Sequence, residues 1–448
     1  MAPPPVRRGR TEERTRDLPT PSLILAGRTL VRGRLEAAEI ALADDGTILS
    51  VGKVRTGAPR HDVGEGVILP AATDLHVHFR DPGGSADVET LASGTIGAAL
   101  GGVGTVGEMP NTVPPVQDAD AVAEKAARVR GRCAVDVLLY AFAPARRAES
   151  LARAAGGFKL YLSPTTSTET AVPMSEVPAR LEAVGDLGLP LAVHAEDASR
   201  FARNASPSDP VQWNAARPVE AERRAVAALA AAPPALRLHV AHVSTAASAS
   251  ELRKRATCFE VTPHHLLLSD RSGADARFKV NPPLRPEPER RALWEMFRRG
   301  EVPCLSSDHA PHASAEKSRP FVQAPSGVPG TQTMLPLLLA RVRAGELPLD
   351  VLVRAACDRP ARVIGQPTGR IAPGHRAHLI VVDFRARSHL EGRRLRSPSG
   401  WTPYEGWEAI LPREHYRDGE RIVEAGEYVG RPSGRVVRPD YAPGGARP

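Results

Sequence analysis

Two histidines stand one residue apart in "ATDLHVHFRDPG" (Ala72–Gly83), where an apolar run turns polar. Side chains at i and i+2 of a strand share a face. His76 and His78 therefore project together, and Arg80 continues the row while the chain stays extended. Such a pair can ligate a divalent metal, and it can equally be a packed or surface pair. Further apolar runs carry Lys159 in "GGFKLYL", His194 in "PLAVHAED", His242 in "LRLHVAHVS" and Asp308 in "VPCLSSDHAPH". Imidazoles with a carboxylate and few thiols suit Zn²⁺, or a similar ion, in an open catalytic site. Each residue alone has a structural alternative. His194 could be a packed core histidine, and Asp308 could cap a turn or helix.

Lys159 has its own logic. An unpaired ammonium in an apolar strand is costly, unless it snorkels to the rim or pairs with Asp308. Lysine occurs only at positions 53, 125, 159, 254, 279 and 317, every other basic residue being arginine. With abundant Ala, Gly and Pro, this reads as a GC-rich genome pushing Lys toward Arg. A buried lysine can shed its proton where arginine cannot. The neutral amine can add CO₂ to give a carbamate, an anionic ligand able to bridge two metals.

The elements that must position these residues have a clear rhythm. The runs "ILPAATDLHVH", "GVGTVGEMPNT", "AVDVLLYAF", "GFKLYL", "PLAVHAED", "LRLHVAHVS", "CFEVTPHH" and "VPCLSSDHAPH" read as strands ending in polar residues. Helix-like stretches separate most of them. "DADAVAEKAARVRG" has Asp118 or Asp120 as N-cap and Gly131 as stop, and "RPVEAERRAVAALAAA" has Pro218 near its first turn. Eight strands alternating with helices predict an α/β fold, a (β/α)8 TIM-type barrel, with the six residues at its C-terminal rim. An open doubly wound sheet fits less well, because no Gly-rich phosphate loop follows the first strand. The predicted organisation is a disordered basic arm at 1–19, a small accessory β-domain built from 20–68 and 369–432, the barrel at 69–368, and a flexible tail at 433–448.

The 448 residues, 42% hydrophobic and 25% charged, suffice for one large domain with an accessory one. No run approaches the roughly 18 apolar residues needed to span a bilayer, and the start lacks the apolar stretch of a signal peptide. Cys133, Cys258, Cys304 and Cys357 are far apart and read as reduced thiols. The expectation is a soluble cytoplasmic protein. The net charge of +8 comes with few aromatics and no basic stripe. That argues against nucleic acid and is explained as cheaply by attraction of a small anionic substrate. RNA contact through the Arg-rich arm is the remaining nucleic-acid reading.

The constellation resembles the amidohydrolase superfamily, whose binuclear members carry HxH on strand one, a carboxylated Lys on strand four, His on strands five and six, and Asp on strand eight. Within it the chain is similar to the dihydroorotases of the long, type I-related kind. The motifs are "DLHVHFRDPG", "GGVGTVGEMPNT", "LAVHAED", "HVAHVST", "EVTPHHLLLSD", "KVNPPLR", "SSDHAPH", "SGVPGTQTMLPLLL", "GRIAPGHRAHLIVVD" and "WTPYEGW". The resemblance implies two Zn²⁺, or similar divalent ions, bridged by carboxylated Lys159 and hydroxide. His76, His78, Lys159 and Asp308 would hold one ion, and Lys159, His194 and His242 the other. Asp308 would serve as catalytic base and then acid. Arg80, Asn111 and His312 would clamp a substrate carboxylate, and Asn281 would contact the pyrimidine amide edge. "PNT" is a plausible turn and Arg80 a plausible salt-bridge partner whatever the function.

The implied reaction is the reversible cyclisation of N-carbamoyl-L-aspartate to L-dihydroorotate in pyrimidine synthesis. The stretch from His312 to Gly330 would form a lid. Ala241 stands where some relatives place a Cys for a third ion, although Glu260 is present. His378 stands where relatives usually show Asp, which implies a local change in the accessory domain. A homodimer and a complex with aspartate carbamoyltransferase are compatible with the resemblance. The rival readings are an allantoinase- or hydantoinase-like cyclic amidohydrolase, and a non-catalytic partner of that transferase.

Overall fold

A computed structural model describes residues 20–31, 33–83, 88–166 and 171–441. The predicted arm at 1–19 lies outside the described residues, as do 442–448. β1 (Leu23–Val31), β2 (Arg34–Leu42) and β3 (Ile48–Gly52) form an antiparallel meander, and β4 (Arg60–Pro70) runs parallel to β1. One residue later the chain enters the barrel. Its strands are β5 (Ala72–Val77), β6 (Val103–Glu108), β7 (Asp136–Phe142), β8 (Gly157–Tyr161), β9 (Pro190–His194), β10 (Arg237–Val240), β11 (Cys258–Val261) and β12 (Cys304–Leu305). All seven consecutive pairings are parallel. A bridge between Val77 and His309 joins the first strand to the last, with His78 N–H donating to the His309 carbonyl at 2.7 Å.

β5, β6, β8 and β9 are buried along their whole length, as expected when helices cover the outside and side chains fill the inside of a parallel barrel. Gly107 in β6 allows a close approach, since a Cβ there would lie 2.5 Å from the Leu75 carbonyl oxygen of β5. The helices begin where their caps dictate. Asp118 accepts from Ala121 N–H at the start of Ala119–Val129, and Thr90 and Ser93 form a capping box on Leu91–Leu100.

The chain then returns to the accessory sheet with β13 (Leu379–Val382), inserted between β4 and β16 (Glu414–Arg417). A short ribbon of β14 (Ser388–His389) and β15 (Glu408–Ala409) precedes β16. β17 (Glu420–Glu424) and β18 (Glu427–Tyr428) complete an eight-stranded sheet drawn from both ends of the chain. His378 is accommodated here through its Nε2, 3.1 Å from Asp418 Oδ1, in a cluster that also takes in Arg376. One expectation is corrected. Residues 433–441 are not a loose tail, because β19 (Val436–Val437) pairs in parallel with Val137 and Leu138 of β7. β8 begins pairing only at Tyr140, so the start of β7 lacks a partner on that side. The chain terminus fills that edge.

Candidate metal and active site

His76 lies within β5 and His78 just beyond it, both buried. Their Nε2 atoms turn toward Asp308 Oδ1, at 3.4 and 3.3 Å. The opposite nitrogens are held. His76 Nδ1 is 2.7 Å from Glu260 Oε1, and His78 Nδ1 is 2.7 Å from Asn111 Oδ1. A ring whose outer N–H is anchored in this way presents its inner lone pair in a fixed direction. Lys159 of β8 is fully buried, with Nζ 3.1 Å from His76 Nε2 and no carboxylate within salt-bridge reach among the described residues. It neither snorkels nor pairs with Asp308. Burial pulls its amine down to about 8, with Glu260 and Asp308 opposing the shift.

The second half of the cluster is His194 and His242. His194 Nε2 is anchored by Ser163 Oγ and Glu196 Oε2, each at 2.9 Å, and Glu196 is in turn fixed by Arg217 at 2.5 Å. This turns His194 Nδ1 into the cluster, 2.9 Å from His242 Nε2. Burial, with nearby positive groups, depresses the imidazoles of His194 and His242, and His76 falls to about 4. Neutral rings are the form that ligates metals. The donor set fits divalent ions: four imidazole nitrogens, a carboxylate and a lysine amine converge, and the ligand atoms of His76, His78 and Asp308 all lie within 4.8 Å of one another. Three of the flanking or ligating residues occupy the left-handed backbone region, Arg80 at φ 55, His242 at φ 36 and Asp308 at φ 47. Strained non-glycine positions of this kind concentrate at functional sites.

Above the cluster is a pocket with about 370 Å³ of empty space, lined by His76, His78, Arg80, Asn111, His194, His242, Asn281 and Asp308 together with Tyr161, Thr165, Thr166, Ser326 and Gly327. Arg80 donates through Nη1 to the Pro311 carbonyl at 2.8 Å, and its Nη2 is 3.4 Å from His312 Nε2. Its Nε has no partner, and no carboxylate pairs with the guanidinium among the described residues. Asn111 and Asn281 reach the Thr166 carbonyl and Thr165 Oγ1, each at 3.4 Å. His312 does not line the pocket. It is buried behind Arg80, with Nε2 3.0 Å from the Ser326 carbonyl.

The stretch from His312 to Gly330 is pinned across the pocket mouth. Lys317 Nζ donates to the Pro325 and Gly327 carbonyls, and Lys279 Nζ to those of Phe321 and Ala324. Gly327, at φ +133, passes so close that a Cβ would lie 2.6 Å from the Ala310 carbonyl oxygen.

Several supporting residues escaped the sequence reading. Asp74 accepts from Ser307 N–H and Oγ at 2.9 and 2.5 Å, tying the Asp308 loop to β5. Burial pushes its carboxyl up to about 6 against those two bonds. The signal was available, since Asp74 shares the alternating face of His76 and His78. Glu196 likewise sits two positions after His194. Arg217 and Ser163 carried no comparable signal.

A parallel barrel with an imidazole, lysine and aspartate set at the C-terminal rim defines the class as a metal-dependent hydrolase of the TIM-barrel type. Residues 67–404 match the amidohydrolase family. The dihydroorotase of Thermoplasma volcanium is 32% identical over 416 residues, spanning 93% of this chain and 97% of that protein. That of Halobacterium salinarum is 37% identical over 382 residues, spanning 83% and 89%. Among solved structures, the L-hydantoinase (dihydropyrimidinase) of Arthrobacter aurescens matches with a TM-score of 0.85 at 25% identity, covering 94% of this chain and 100% of that one. The chain belongs to the amidohydrolase family and, within it, to the dihydroorotases.

Proposed function

We propose that this protein interconverts N-carbamoyl-L-aspartate and L-dihydroorotate, closing and opening a cyclic amide. The observation that carries the reading is the Arg80 guanidinium, which lines the pocket beside the ligand cluster with no carboxylate paired to it among the described residues. A planar fork of this kind suits a substrate carboxylate. Asn111 and Asn281 line the same pocket, where Asn111 would join Arg80 on the carboxylate and Asn281 would meet the amide edge of the ring. His312 stands behind Arg80, its Nε2 donating to the Ser326 carbonyl, and backs the guanidinium by packing rather than touching substrate.

His76, His78, Asp308 and Lys159 would hold one divalent ion, zinc or similar, and Lys159, as its carbamate, with His194 and His242 a second. Such ions, when bound, supply an acidified water and polarise the scissile carbonyl. Burial opposes ionisation of Asp308, but His76 and His78 outweigh it and hold the carboxyl well below its ordinary range. Asp308 is therefore a carboxylate able to accept the proton of the attacking water and pass it to the leaving ring nitrogen. Thr165, Thr166, Ser326 and Gly327 line the rest of the pocket, against which the ring would sit.

The purified chain assayed on carbamoyl-aspartate, dihydroorotate, hydantoin and allantoin tests the assignment. Turnover of the two carboxylate-bearing compounds supports it, and preference for an uncharged ring overturns it. A homodimer and association with aspartate carbamoyltransferase belong to the same proposal. Light scattering of the chain, alone and mixed with the transferase, tests both, and a monomer in each case removes them. Among the described residues no helix is long and apolar enough to cross a membrane. We place the enzyme in the cytoplasm, and fractionation of cells expressing it tests that placement.

A further inference from the structure

A second group of metal-binding side chains lies lower in the barrel, and the reaction does not use it. His239, Cys258 and Cys304 bring their donor atoms within 4.8 Å of one another. His239 Nδ1 is 3.3 Å from Cys258 Sγ, and the two sulfurs are 3.7 Å apart. In a tetrahedral zinc site with Zn–S of about 2.3 Å and Zn–N of about 2.0–2.1 Å, the S···S edge is about 3.8 Å and the S···N edge about 3.6 Å. The observed spacings are close to both. A disulfide is served less well. Glu260, not Cys258, stands opposite Cys304 in the β11–β12 register, and the sulfurs would have to close to about 2.05 Å.

The imidazole is also prepared. Glu260 Oε2 accepts from His239 Nε2 at 2.8 Å. This turns Nδ1 toward the thiols and gives the carboxylate–histidine arrangement found behind metal ligands. In the metal-free site the Cys304 thiol draws the Cys258 thiol down while its own is pushed up, and Cys258 and Glu260 raise the His239 imidazole against burial, so a metal entering here displaces protons from Cys304 and His239. Two thiolates and a neutral imidazole would leave a divalent ion close to charge balance in this buried place.

Access comes from the face opposite the catalytic pocket. Cys258 opens onto a cavity of about 420 Å³ at the N-terminal ends of the strands, bordered by Leu236, Arg237, Thr257 and Val363. Solvent there can supply a fourth ligand. We propose that His239, Cys258 and Cys304 form a separate site for a thiophilic divalent ion such as zinc. Glu260, bonded at once to His239 and to His76, joins it to the catalytic cluster.

Sulfur makes the test specific, because none of the six residues at the catalytic cluster is a cysteine. Cys133 and Cys357 are buried against the Leu91 and Pro70 carbonyls respectively. Cadmium added to the reduced full-length chain should produce a thiolate-to-metal charge-transfer band that saturates near one equivalent. Cys258→Ser and Cys304→Ser should each abolish the band, and Cys133→Ser should keep it. Zinc analysis should show about one equivalent fewer in the first two variants. No band in the reduced wild-type chain overturns the proposal, and that measurement needs no variant to fold. A band that survives both serine substitutions, or a Cys258–Cys304 disulfide in protein purified without reductant, overturns it equally.

Discussion

Replacing Arg80 by Met removes the guanidinium while keeping a long side chain on a backbone already held at φ 55. Met and Arg both carry a Cβ, so the left-handed position is no worse accommodated than before. The native side chain is fixed by the Pro311 carbonyl and by its contact with His312, which leaves the rest of its fork for the substrate. Hydrogen bonds to charged groups contribute about 1.5–3 kcal/mol each, so a two-pronged carboxylate contact is worth about 3–6 kcal/mol. Water entering the shortened site recovers part of that. A net loss of about 3–4 kcal/mol corresponds to a fall of roughly 10²–10³-fold in kcat/KM for dihydroorotate. The assay is ring opening of dihydroorotate set beside that of dihydrouracil, the same ring without the carboxylate. Dihydrouracil turnover, however slow, should change little. Arg80→Lys should fall between, retaining charge but losing the planar fork. An equal loss on both rings, or a loss under about fivefold on dihydroorotate, would refute carboxylate recognition by Arg80.

Lys159→Ala should lose metal and nearly all activity; retention of both ions at full activity would remove the carbamate assignment. Because carboxylation needs the neutral amine and burial brings Lys159 to about 8, reactivation of metal-stripped enzyme by zinc at a fixed concentration of dissolved CO₂ should speed up about tenfold per pH unit below that value and level off above it. A flat profile between pH 6 and 8 contradicts this. Glu260→Gln keeps the size of the side chain but weakens the anchor on His76 Nδ1, and metal affinity measured by chelator competition should drop about 10–100-fold. Deleting residues 434–448 strips the Val436–Val437 strand from β7 and should destabilise the chain by about 1–3 kcal/mol, read from the urea midpoint, since paired backbone groups and half-buried valines are lost together. An unchanged midpoint would mean that the terminus only rests on the barrel.

The barrel was legible because its signals are short-range. Apolar runs of strand length end in polar residues, caps such as Asp118 stand at helix starts, and an i, i+2 spacing puts His76 and His78 on one face. Those patterns, with residue types that ligate metals, were enough to propose a rim and six candidate ligands from the amino-acid order, while the carboxylate-bearing substrate came from the resemblance to the dihydroorotases. Asp74 and Glu196 obey the same spacing rule and could have been read with it. What tertiary structure decided is which atom of each side chain is free. Glu260 Oε1 anchors His76 from 184 residues away, and that distant bond selects the ring nitrogen that faces Asp308. The stagger of β8 against β7 opens the edge that Val436 and Val437 occupy, so a segment with the composition of a tail became a strand. His312 carries a residue type suited to a substrate contact, but the packing of Ser326 and Arg80 around it placed it behind the pocket wall. Local order determines which elements form and which faces they present; the direction of a lone pair, and the partner of a buried charge, depend on contacts between residues far apart in the chain that exist only once the barrel has closed.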